Sequence, residues 1–464
     1  MPILSRIVIG VALALGSAHA LAAAPTLPVP ASGVIGTEDA MFSPDYWIAR
    51  AAAPDKVIFS RDELKARNAR MFANDPSMFV LARIPTQVSA EQVKAWIGKV
   101  SRLPPKPLID VHNQPLPKSV VDPIVASIAL EKIPEHVTAR YGIAVARESL
   151  RTFPTDLRAF TVPDQPDFES FQESMLFPGD PVVIVHESED GQWYFVVSPR
   201  YAAWVKKSAI AVGSRDEVLT YADKTPYRVV TGAKVRTVFT PEAPAVSELQ
   251  LDMGARVPLA DLPPDQPVNG QGPYVSWTLQ LPVRAADGSL HFQPALLQRN
   301  ADSAPDYVPL TQANIIRQAF KFLGERYGWG HLYNGRDCSG FVSDVYRSLG
   351  VQMPRNTGDQ AKSPELAHQL FTAADNHQAR MKAIAQAQVG DLIYIPGHVM
   401  MFLGRVNGEP YVIQDVGGVI YLDAQGNKHW RRTNEVSVTP LLPLLVDEKL
   451  SYVDAMTSLV HIRP

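Results

Sequence analysis

Residues 327–341 read YGWGHLYNGRDCSGF, and this stretch contains the only cysteine of the 464-residue chain, Cys338. A solitary thiol cannot form a disulfide within the chain, so it is either an inert buried side chain or a reactive group. Phe341, Val345 and Leu349 follow the cysteine at a spacing of four residues. This spacing predicts that an amphipathic helix begins at Cys338 and ends at Gly350.

The predicted position of Cys338 in the first turn of a helix has a chemical consequence. The free N–H groups and the helix dipole favour a thiolate, so we expect the thiol pKa to lie below the value of about 8.5 for a free cysteine. A thiolate needs a base that holds it and later protonates the leaving amine. Asp337 would oppose the thiolate by its charge, so we expect it to be the helix cap, a ligand for a positively charged substrate group, or both.

His398 is the candidate base. It opens a predicted strand directly after a Pro-Gly turn, within DLIYIPGHVMMFLG at 391–404, and this position directs its side chain from a sheet edge toward the helical part. The other histidines considered for this role lie in predicted loops or surface helices: His331, His368 and His377.

A catalytic imidazole also needs an acceptor that orients its second nitrogen. Gln414 lies on the next predicted strand, and its amide oxygen can accept this hydrogen bond, although an ordinary polar strand residue is the alternative. Asp415 is the rival acceptor, but it is one residue out of phase and is expected on the opposite face of the sheet.

The first 24 residues have the composition of a secretory signal. Arg6 precedes an apolar run from Ile7 to Leu15, and small residues follow around Ala20 and Ala24. The apolar run is shorter than the roughly 20 residues that a membrane span needs. We therefore predict a signal peptide over 1–24, cleaved after Ala20 or Ala24, and a periplasmic or secreted product without a membrane anchor.

Composition narrows the remaining possibilities. The net charge is only −3, which gives no electrostatic argument for nucleic-acid binding. No His/Cys cluster has zinc spacing, so neither a metal nor another cofactor is expected. The sequence does not set the oligomeric state, and a monomer is the default expectation. Local patterns predict four regions after the signal: a mainly helical one, two β-rich ones and an α+β one, at 25–147, 148–215, 216–305 and 306–464.

Three motifs together resemble those of the NlpC/p60 cysteine peptidases, papain-like enzymes that cut bacterial cell-wall peptides: YGWG, DCSGF and GDLIYIPGHVMMFLG. MPRNTGDQ also resembles the family's Pro-Arg-x-Ser/Thr stretch, and the match covers about 311–464. The resemblance implies an α+β papain-like domain with Cys338 as nucleophile, His398 as base and Gln414 as the third polar member. It also implies that Tyr327 shapes the oxyanion site.

The chain departs from the family pattern at two positions. The third catalytic position is often histidine in the family, whereas Gln414 can accept a hydrogen bond but carries no charge. The usual Trp-Gly-Gly is Trp329-Gly330-His331 here, so a bulky side chain stands where a glycine is expected. Neither change removes a catalytic atom.

The upstream regions resemble paired bacterial SH3 domains, preceded by the helical amino-terminal domain of some relatives, with FSPDYWIAR as its clearest piece. In such relatives the first SH3 domain narrows the cleft, which implies selection for short peptides with a free L-alanine amine. The resemblance implies that Asp337 and Ser339 bind this amine. Further candidates for substrate binding at the cleft are Trp329, Tyr201 and Glu173.

The implied activity is a γ-D-glutamyl-L-diamino acid endopeptidase acting on peptidoglycan-derived peptides, with diaminopimelate as the expected diamino acid. Two alternatives remain open. Intact peptidoglycan could be the substrate, in wall remodelling, or the chain could be a catalytically inert wall-binding module. The sequence does not distinguish diaminopimelate from lysine.

Overall fold

The structure is a computed structural model that describes residues 36–423 and 425–463. The predicted signal segment lies outside the described residues. None of the described helices is both long and apolar enough to cross a membrane.

The amino-terminal region is mainly helical, as predicted. Its helices are α1 (Pro44–Ile48), α2 (Arg61–Asn74), α3 (Ala90–Val100) and α4 (Lys118–Ala126). Ser60 begins α2 with a capping box, because its hydroxyl accepts the Glu63 N–H and the Glu63 carboxylate accepts the Ser60 N–H. A short antiparallel pair, β1 (Gln87–Ser89) with β2 (His136–Thr138), closes this region.

A seven-stranded antiparallel sheet, which we call the first β region, follows in the order β5-β4-β8-β7-β6-β3-β9. Its strands are β3 (Arg140–Ala144), β4 (Glu148–Arg151), β5 (Gln172–Leu176), β6 (Pro181–Glu187), β7 (Trp193–Val197), β8 (Ala202–Lys206) and β9 (Ile210–Gly213). Because β3 pairs with both β6 and β9, the sheet starts upstream of the predicted boundary at 148. The β4–β5 connection is long and extends to the carboxy-terminal domain.

Helix α5 (Arg215–Thr220) leads into the second β region, which consists of three small antiparallel sheets. Its strands are β10 (Tyr227–Val230), β11 (Lys234–Arg236), β12 (Gln250–Asp252), β13 (Arg256–Pro258), β14 (Ser276–Arg284), β15 (Leu290–Gln298) and β16 (Ser303–Ala304). Leu251, Leu279 and Ala295 are fully buried between them. Its assignment as a second SH3 domain stays a prediction.

The carboxy-terminal domain has the α+β arrangement expected from the sequence. Its helices are α6 (Gln312–Phe320), α7 (Cys338–Ser348), α8 (Thr357–Gln360) and α9 (His377–Gln386). The main sheet has the order β17-β25-β18-β19-β20-β23, and β22-β21-β24 form a smaller sheet. The strands are β17 (Ala367–Leu370), β18 (Leu392–Ile395), β19 (His398–Val406), β20 (Glu409–Val416), β21 (Val419–Leu422), β22 (Lys428–Arg431), β23 (Glu435–Pro440), β24 (Leu444–Leu445) and β25 (Ser458–His461).

Helix α7 packs against β19 and β20 through the apolar stripe that its spacing predicted. Phe341, Val345 and Leu349 have no accessible surface. The stripe therefore fixes the rotation of α7 and, with it, the direction of Cys338 relative to the sheet.

The second β region holds the other side of this helix. Arg336, fully buried just before α7, donates to Asp344 at 2.8 Å, Glu325 at 2.8 Å and Asp252 of β12 at 2.9 Å. A side chain at Gly254 would stand 2.6 Å from Arg347, so the chain needs glycine for this close approach. These contacts fix α7 between the two parts of the molecule.

Candidate active site

Cys338 is the first residue of α7, and its side chain is 6% exposed. Its Sγ lies 4.0 Å from the carbonyl oxygen of Gly397 and accepts a hydrogen bond from the Val399 backbone N–H. Asp337 caps the helix, since its Oδ1 accepts the Gly340 N–H at 2.8 Å. The predicted helix start is confirmed, and the thiol lies next to the strand that carries His398.

His398 and Gln414 meet across neighbouring strands. His398 Nε2 lies 2.7 Å from Gln414 Oε1, while Gln414 Nε2 donates to Thr439 Oγ1 at 2.7 Å. The amide is placed with its oxygen toward the imidazole and its NH2 group toward the threonine hydroxyl, which accepts. His398 therefore carries its proton on Nε2, which leaves the Nδ1 lone pair free to accept a proton.

The ionisation of the two groups differs from the sequence-based expectation. Burial, reinforced by the negative charge of Asp337, raises the pKa of the Cys338 thiol to about 12. Burial also lowers the pKa of His398 to about 4, although the hydrogen bond with Gln414 opposes this. The expected low thiol pKa is therefore wrong, because burial outweighs a helix dipole that contributes at most about 2 kcal/mol. The resting pair is a thiol and a neutral imidazole.

Tyr327 is held beside the nucleophile by its backbone. Its N–H donates to the Asn434 carbonyl oxygen at 3.0 Å, and the Gly328 N–H donates to the Arg336 carbonyl oxygen at 2.6 Å. Burial, with the charge of Cys338 as the second cause, raises the pKa of Tyr327 well above its usual value. The phenol therefore stays protonated and can donate a hydrogen bond to a developing oxyanion.

Asp337 and Ser339 belong to a buried network around Arg355. Arg355 donates to both carboxylate oxygens of Asp337, at 2.7 and 3.1 Å, and to Ser339 Oγ at 2.8 Å. Its Nε donates to Ser174 Oγ of β5 at 2.8 Å, so the same guanidinium joins the first β region to the carboxy-terminal domain. The Gly330 N–H also donates to Asp337, at 3.0 Å.

The amine contact expected of Asp337 and Ser339 stays a prediction, and in this structure both side chains bond within the protein. A carboxylate offers about four acceptor positions, and those of Asp337 are taken by Arg355, two backbone N–H groups and the Ser339 hydroxyl. The two side chains are buried, at 6% and 4% exposure. Asp337 is the helix cap and the ion-pair partner of Arg355, and the Ser339 hydroxyl accepts from Arg355 and donates to Asp337.

The first β region brings Glu173, Tyr201 and Trp329 together at one side of the site. Trp329 Nε1 donates to the Gln172 carbonyl oxygen at 2.9 Å. Glu173 accepts hydrogen bonds from the hydroxyls of Tyr201 and Thr152. Among the described residues no cation lies within ion-pair distance of Glu173. Glu173 and Tyr201 line a cavity of about 330 Å³.

The β4–β5 connection adds a second contact between these domains, which the sequence did not predict. Asp167 is buried and bridges Arg326 at 2.6 Å and Arg432 at 2.7 Å. The neighbouring Phe168 ring lies 5.7 Å from the rings of both Tyr327 and Trp329. Phe168 remains 43% exposed, so it forms part of the wall next to Tyr327.

His331, the unexpected residue of the motif, is a packing residue. It is 2% exposed, adopts a φ of +65°, and lies edge-on to Phe177 with ring centroids 5.5 Å apart. A side chain at Gly340 would stand 2.6 Å from its ring, which explains the glycine after Cys-Ser. Burial lowers the pKa of His331 well below its usual value, so the imidazole is neutral.

Asp415 does not contact His398. It is fully buried, and neither carboxylate oxygen has a hydrogen-bond partner among the described residues. Burial raises the pKa of Asp415 well above its usual value, with the charge of Asp337 as the second cause. Asp415 is therefore neutral, and Gln414 is the acceptor at the imidazole. No group of three or more described His, Cys, Asp or Glu side chains is arranged to hold a metal ion.

The matches to known families coincide with these two structural units. The sequence at 324–438 matches the NlpC/P60 family, and 158–206 match an SH3 domain of the SH3b1 type. Residues 324–438 form an NlpC/P60 domain. The resemblance found in the sequence is thereby confirmed, and the NlpC/P60 domain contains Cys338, His398, Gln414 and Tyr327, whereas the SH3 domain contributes Glu173, Tyr201 and Phe168.

Similar curated proteins come from Gram-positive bacteria. A probable endopeptidase p60 of Listeria seeligeri is 33% identical over 121 residues, which are 24% of this chain and 19% of that protein. A gamma-D-glutamyl-L-lysine dipeptidyl-peptidase of Bacillus subtilis is 41% identical over 64 residues, 12% of this chain and 22% of that protein. The chain thus spans about a fifth of the length of these relatives.

Two further similarities extend beyond the NlpC/P60 domain. A gamma-D-glutamyl-L-lysine dipeptidyl-peptidase of Bacillus cereus is 26% identical over 259 residues, 51% of this chain and 66% of that protein. The structure of an NlpC/P60 endopeptidase from Photobacterium damselae subsp. piscicida superimposes with a TM-score of 0.69 at 17% identity, covering 88% of this chain and 94% of that one. The latter likeness establishes a shared fold.

Proposed function

We propose that the chain is a cysteine endopeptidase that hydrolyses the γ-D-glutamyl-L-diamino acid bond of cell-wall peptides with a free amino-terminal L-alanine. The observation that carries the proposal is the contact of His398 Nε2 with Gln414 Oε1 at 2.7 Å beside the buried Cys338 thiol. Within an NlpC/P60 domain this contact provides an oriented base next to a nucleophile. The names of two relatives supply the substrate class. Export rests on the signal-like composition of residues 1–24.

The reaction begins from the neutral pair. As Cys338 Sγ attacks the γ-carbonyl carbon of D-glutamate, the thiol proton passes to His398 Nδ1 and the carbonyl π electrons move onto oxygen. The Tyr327 hydroxyl donates to this oxyanion. When the oxyanion collapses, the C–N bond breaks and the imidazolium gives its proton to the departing amine. Since the pKa of His398 is about 4, the imidazolium is a strong acid for this transfer.

Hydrolysis of the acyl-enzyme completes the cycle. Water attacks the thioester carbonyl while the imidazole of His398 accepts its proton, and the C–S bond then breaks. The proton returns to Cys338, and the product is L-Ala-D-Glu. The hydrogen bond that His398 Nε2–H donates to Gln414 Oε1 keeps the imidazole in one tautomer through both half-reactions.

Recognition of the free amine is the part of the proposal that concerns Glu173 and Tyr201. Glu173 accepts the Tyr201 hydroxyl and forms no ion pair with a described residue, although Lys99 and Arg200 line the same cavity of about 330 Å³. Burial and the neighbouring Glu173 raise the pKa of Tyr201, so the tyrosine remains a neutral donor that orients the carboxylate. An ammonium group against Glu173 forms a charge-assisted hydrogen bond that a capped amine cannot form.

The test is digestion of L-Ala-γ-D-Glu-diaminopimelate by wild type and by Cys338→Ala, followed by detection of L-Ala-D-Glu. Only the wild type should release the dipeptide, and equal cleavage by both would rule out the mechanism. The matching lysine tripeptide, assayed in parallel, assigns the diamino acid.

A second digestion distinguishes free peptides from intact peptidoglycan as substrate. The tripeptide is acetylated at its L-alanine amine and compared with the free peptide and with purified peptidoglycan sacculi. Loss of nearly all activity on the acetylated peptide and on sacculi supports a peptide-degrading role. Equal rates on the free and acetylated peptides favour wall remodelling, and inactivity on all three favours a wall-binding module.

A further inference from the structure

A second cavity lies where the two β regions, α2 and the end of α7 meet. Its volume is about 240 Å³, and its lining shares Arg200 and Tyr201 with the cavity that Glu173 lines. We call it the arginine cavity, because four arginine side chains line it: Arg200, Arg256, Arg347 and Arg355. Its position at the contact of several domains is typical of small-molecule sites.

Two of the four arginines have carboxylate partners. Arg355 forms the ion pair with Asp337 at 2.7 Å. Arg347 lies 3.7 Å from Asp344 and also donates to the Met253 carbonyl oxygen at 2.7 Å. The positive charges of these two guanidinium groups are therefore balanced by carboxylates of the protein.

The other two arginines have no carboxylate within ion-pair distance among the described residues, although the charges of Asp344 and Asp180 act on Arg200 from farther away. Arg200 has neither a hydrogen bond nor an ion pair with any described residue. Arg256 has no carboxylate within 4 Å among the described residues, and its Nη1 is buried without a hydrogen-bond partner. Its guanidinium lies 3.7 Å from the centre of the Tyr227 ring, a contact that leaves the N–H groups at its edge available.

The single carboxylate in the cavity lining does not balance these charges. Asp180 accepts the Phe177 N–H at 2.9 Å and forms no ion pair within the described part of the chain. Burial raises the pKa of Asp180, and the charges of Arg347 and Arg200 oppose this shift. Burial, with the nearby charge of Arg347, lowers the pKa of Arg200 to about 10, so Arg200 is still protonated at neutral pH.

An enclosed guanidinium without a partner is costly, and an anion removes the cost. The planar fork of arginine matches two oxygens of a phosphate or a carboxylate. We propose that the arginine cavity binds a small oxyanion, a phosphate or a carboxylate, through Arg200 and Arg256. The volume admits a group of this size but not a peptidoglycan strand. The proposal is independent of the peptidase activity.

The experiment measures binding and thermal stability in the full chain. Inorganic phosphate and glutarate are the two probes, each compared with sodium chloride at equal ionic strength. Wild type should bind at least one probe in a calorimetric titration, and a saturating probe should raise Tm by about 2 °C. A response to phosphate alone assigns a phosphate site, and a response to glutarate assigns a carboxylate site.

Arg200→Met is the decisive variant, and Arg236→Met, which removes an exposed arginine of the second β region, is its matched control. Arg200→Met should lower the affinity at least tenfold and abolish the Tm shift, whereas Arg236→Met should behave as wild type. In chloride alone Arg200→Met should be at least as stable as wild type, because it loses an unpaired enclosed charge. Lower stability there would mean that Arg200 is already compensated and would overturn the proposal.

Arg200→Lys gives an independent measurement, since lysine keeps the positive charge but lacks the two parallel N–H donors of the guanidinium group. Its affinity should lie between those of wild type and Arg200→Met. No binding of either probe by wild type at tens of millimolar overturns the proposal without any variant. Binding that is unchanged in Arg200→Lys and Arg200→Met also overturns it, because the anion then binds elsewhere.

Discussion

The two β regions contact the NlpC/P60 domain on different sides of α7, and their contacts differ in kind. The second β region reaches the buried side, where Asp252 pairs with Arg336 and Gly254 allows close packing of Arg347. The first β region contacts the residues around the start of α7, where Ser174 accepts a hydrogen bond from Arg355 and Phe168 packs against Tyr327.

The difference between these contacts lies in exposure and in charge compensation. Arg336 is fully buried and meets three carboxylates. In contrast, Glu173 has no cationic partner among the described residues, and Phe168 is 43% exposed. Satisfied buried groups stabilise a fold, whereas unsatisfied groups at a cleft are available to a ligand. We propose that the second β region mainly stabilises the fold and that the first contributes to substrate choice.

The largest expected effect is on stability, from Arg336→Met. This change removes the hydrogen-bonded cation of the buried carboxylates Asp252 and Asp344 and leaves them only the longer contacts with Arg147 at 3.9 Å and Arg347 at 3.7 Å, which costs about 3–5 kcal/mol. The midpoint of guanidinium denaturation should fall accordingly, while Arg236→Met should leave it unchanged. An unchanged midpoint for Arg336→Met would contradict the stabilising role of the second β region.

A large effect is also expected in the pH dependence of Cys338 alkylation. The pKa of the thiol is raised to about 12, so its thiolate fraction increases about tenfold for each pH unit below that value. Alkylation by iodoacetamide should therefore accelerate about 100-fold between pH 7 and pH 9. In the denatured chain, where the thiol pKa is about 8.5, the alkylation rate should level off near pH 9. A rate that is constant over this range in the folded protein would reveal a thiolate–imidazolium pair instead.

The Glu173→Gln variant tests whether the first β region contributes to recognition of the substrate amine. Loss of the charge should lower kcat/KM for the free tripeptide about 30-fold, or about 2 kcal/mol, and leave the slow reaction of the acetylated tripeptide unchanged. Glu187→Gln is the control, because Glu187 lies in the same SH3 domain and pairs with Arg140 and Lys207. An equal loss with both peptides would assign Glu173 a purely structural role.

The smallest effect is expected from Asp167→Asn. Its partners Arg326 and Arg432 are both about half exposed, so the two ion pairs together contribute about 1 kcal/mol. The variant should reduce kcat/KM for the tripeptide about fivefold, because Phe168 is less firmly held beside Tyr327. Asp164→Asn in the same loop should have no effect, and a similar loss in both variants would refute the specific role of Asp167.

The sequence predicted the parts of the site that local patterns describe. The spacing after Cys338 determined the helix, and the alternation around His398 and Gln414 gave two strands with both side chains on one face. These patterns act over a few residues, so neighbouring positions reveal them.

The rest of the site depends on contacts between distant segments. Asp167 meets Arg326 and Arg432 across separations of 159 and 265 residues, and no local pattern marks such a pair. Arg355 lies in the MPRNTGDQ stretch, but no local pattern predicts its pairing with Asp337, 18 residues earlier. The pKa values also depend on burial by other domains, which explains the wrong expectation for the thiol.

The most direct test of the account is to trap the acyl-enzyme. Wild type is mixed with excess L-Ala-γ-D-Glu-diaminopimelate, quenched in acid within a turnover, and examined by intact mass and peptide mapping. The account predicts one L-Ala-γ-D-Glu acyl group on the peptide that contains Cys338, and none in Cys338→Ala. The account would be contradicted if L-Ala-D-Glu were released while no adduct on Cys338 was found at any of the quench times. An adduct on another residue would also contradict it.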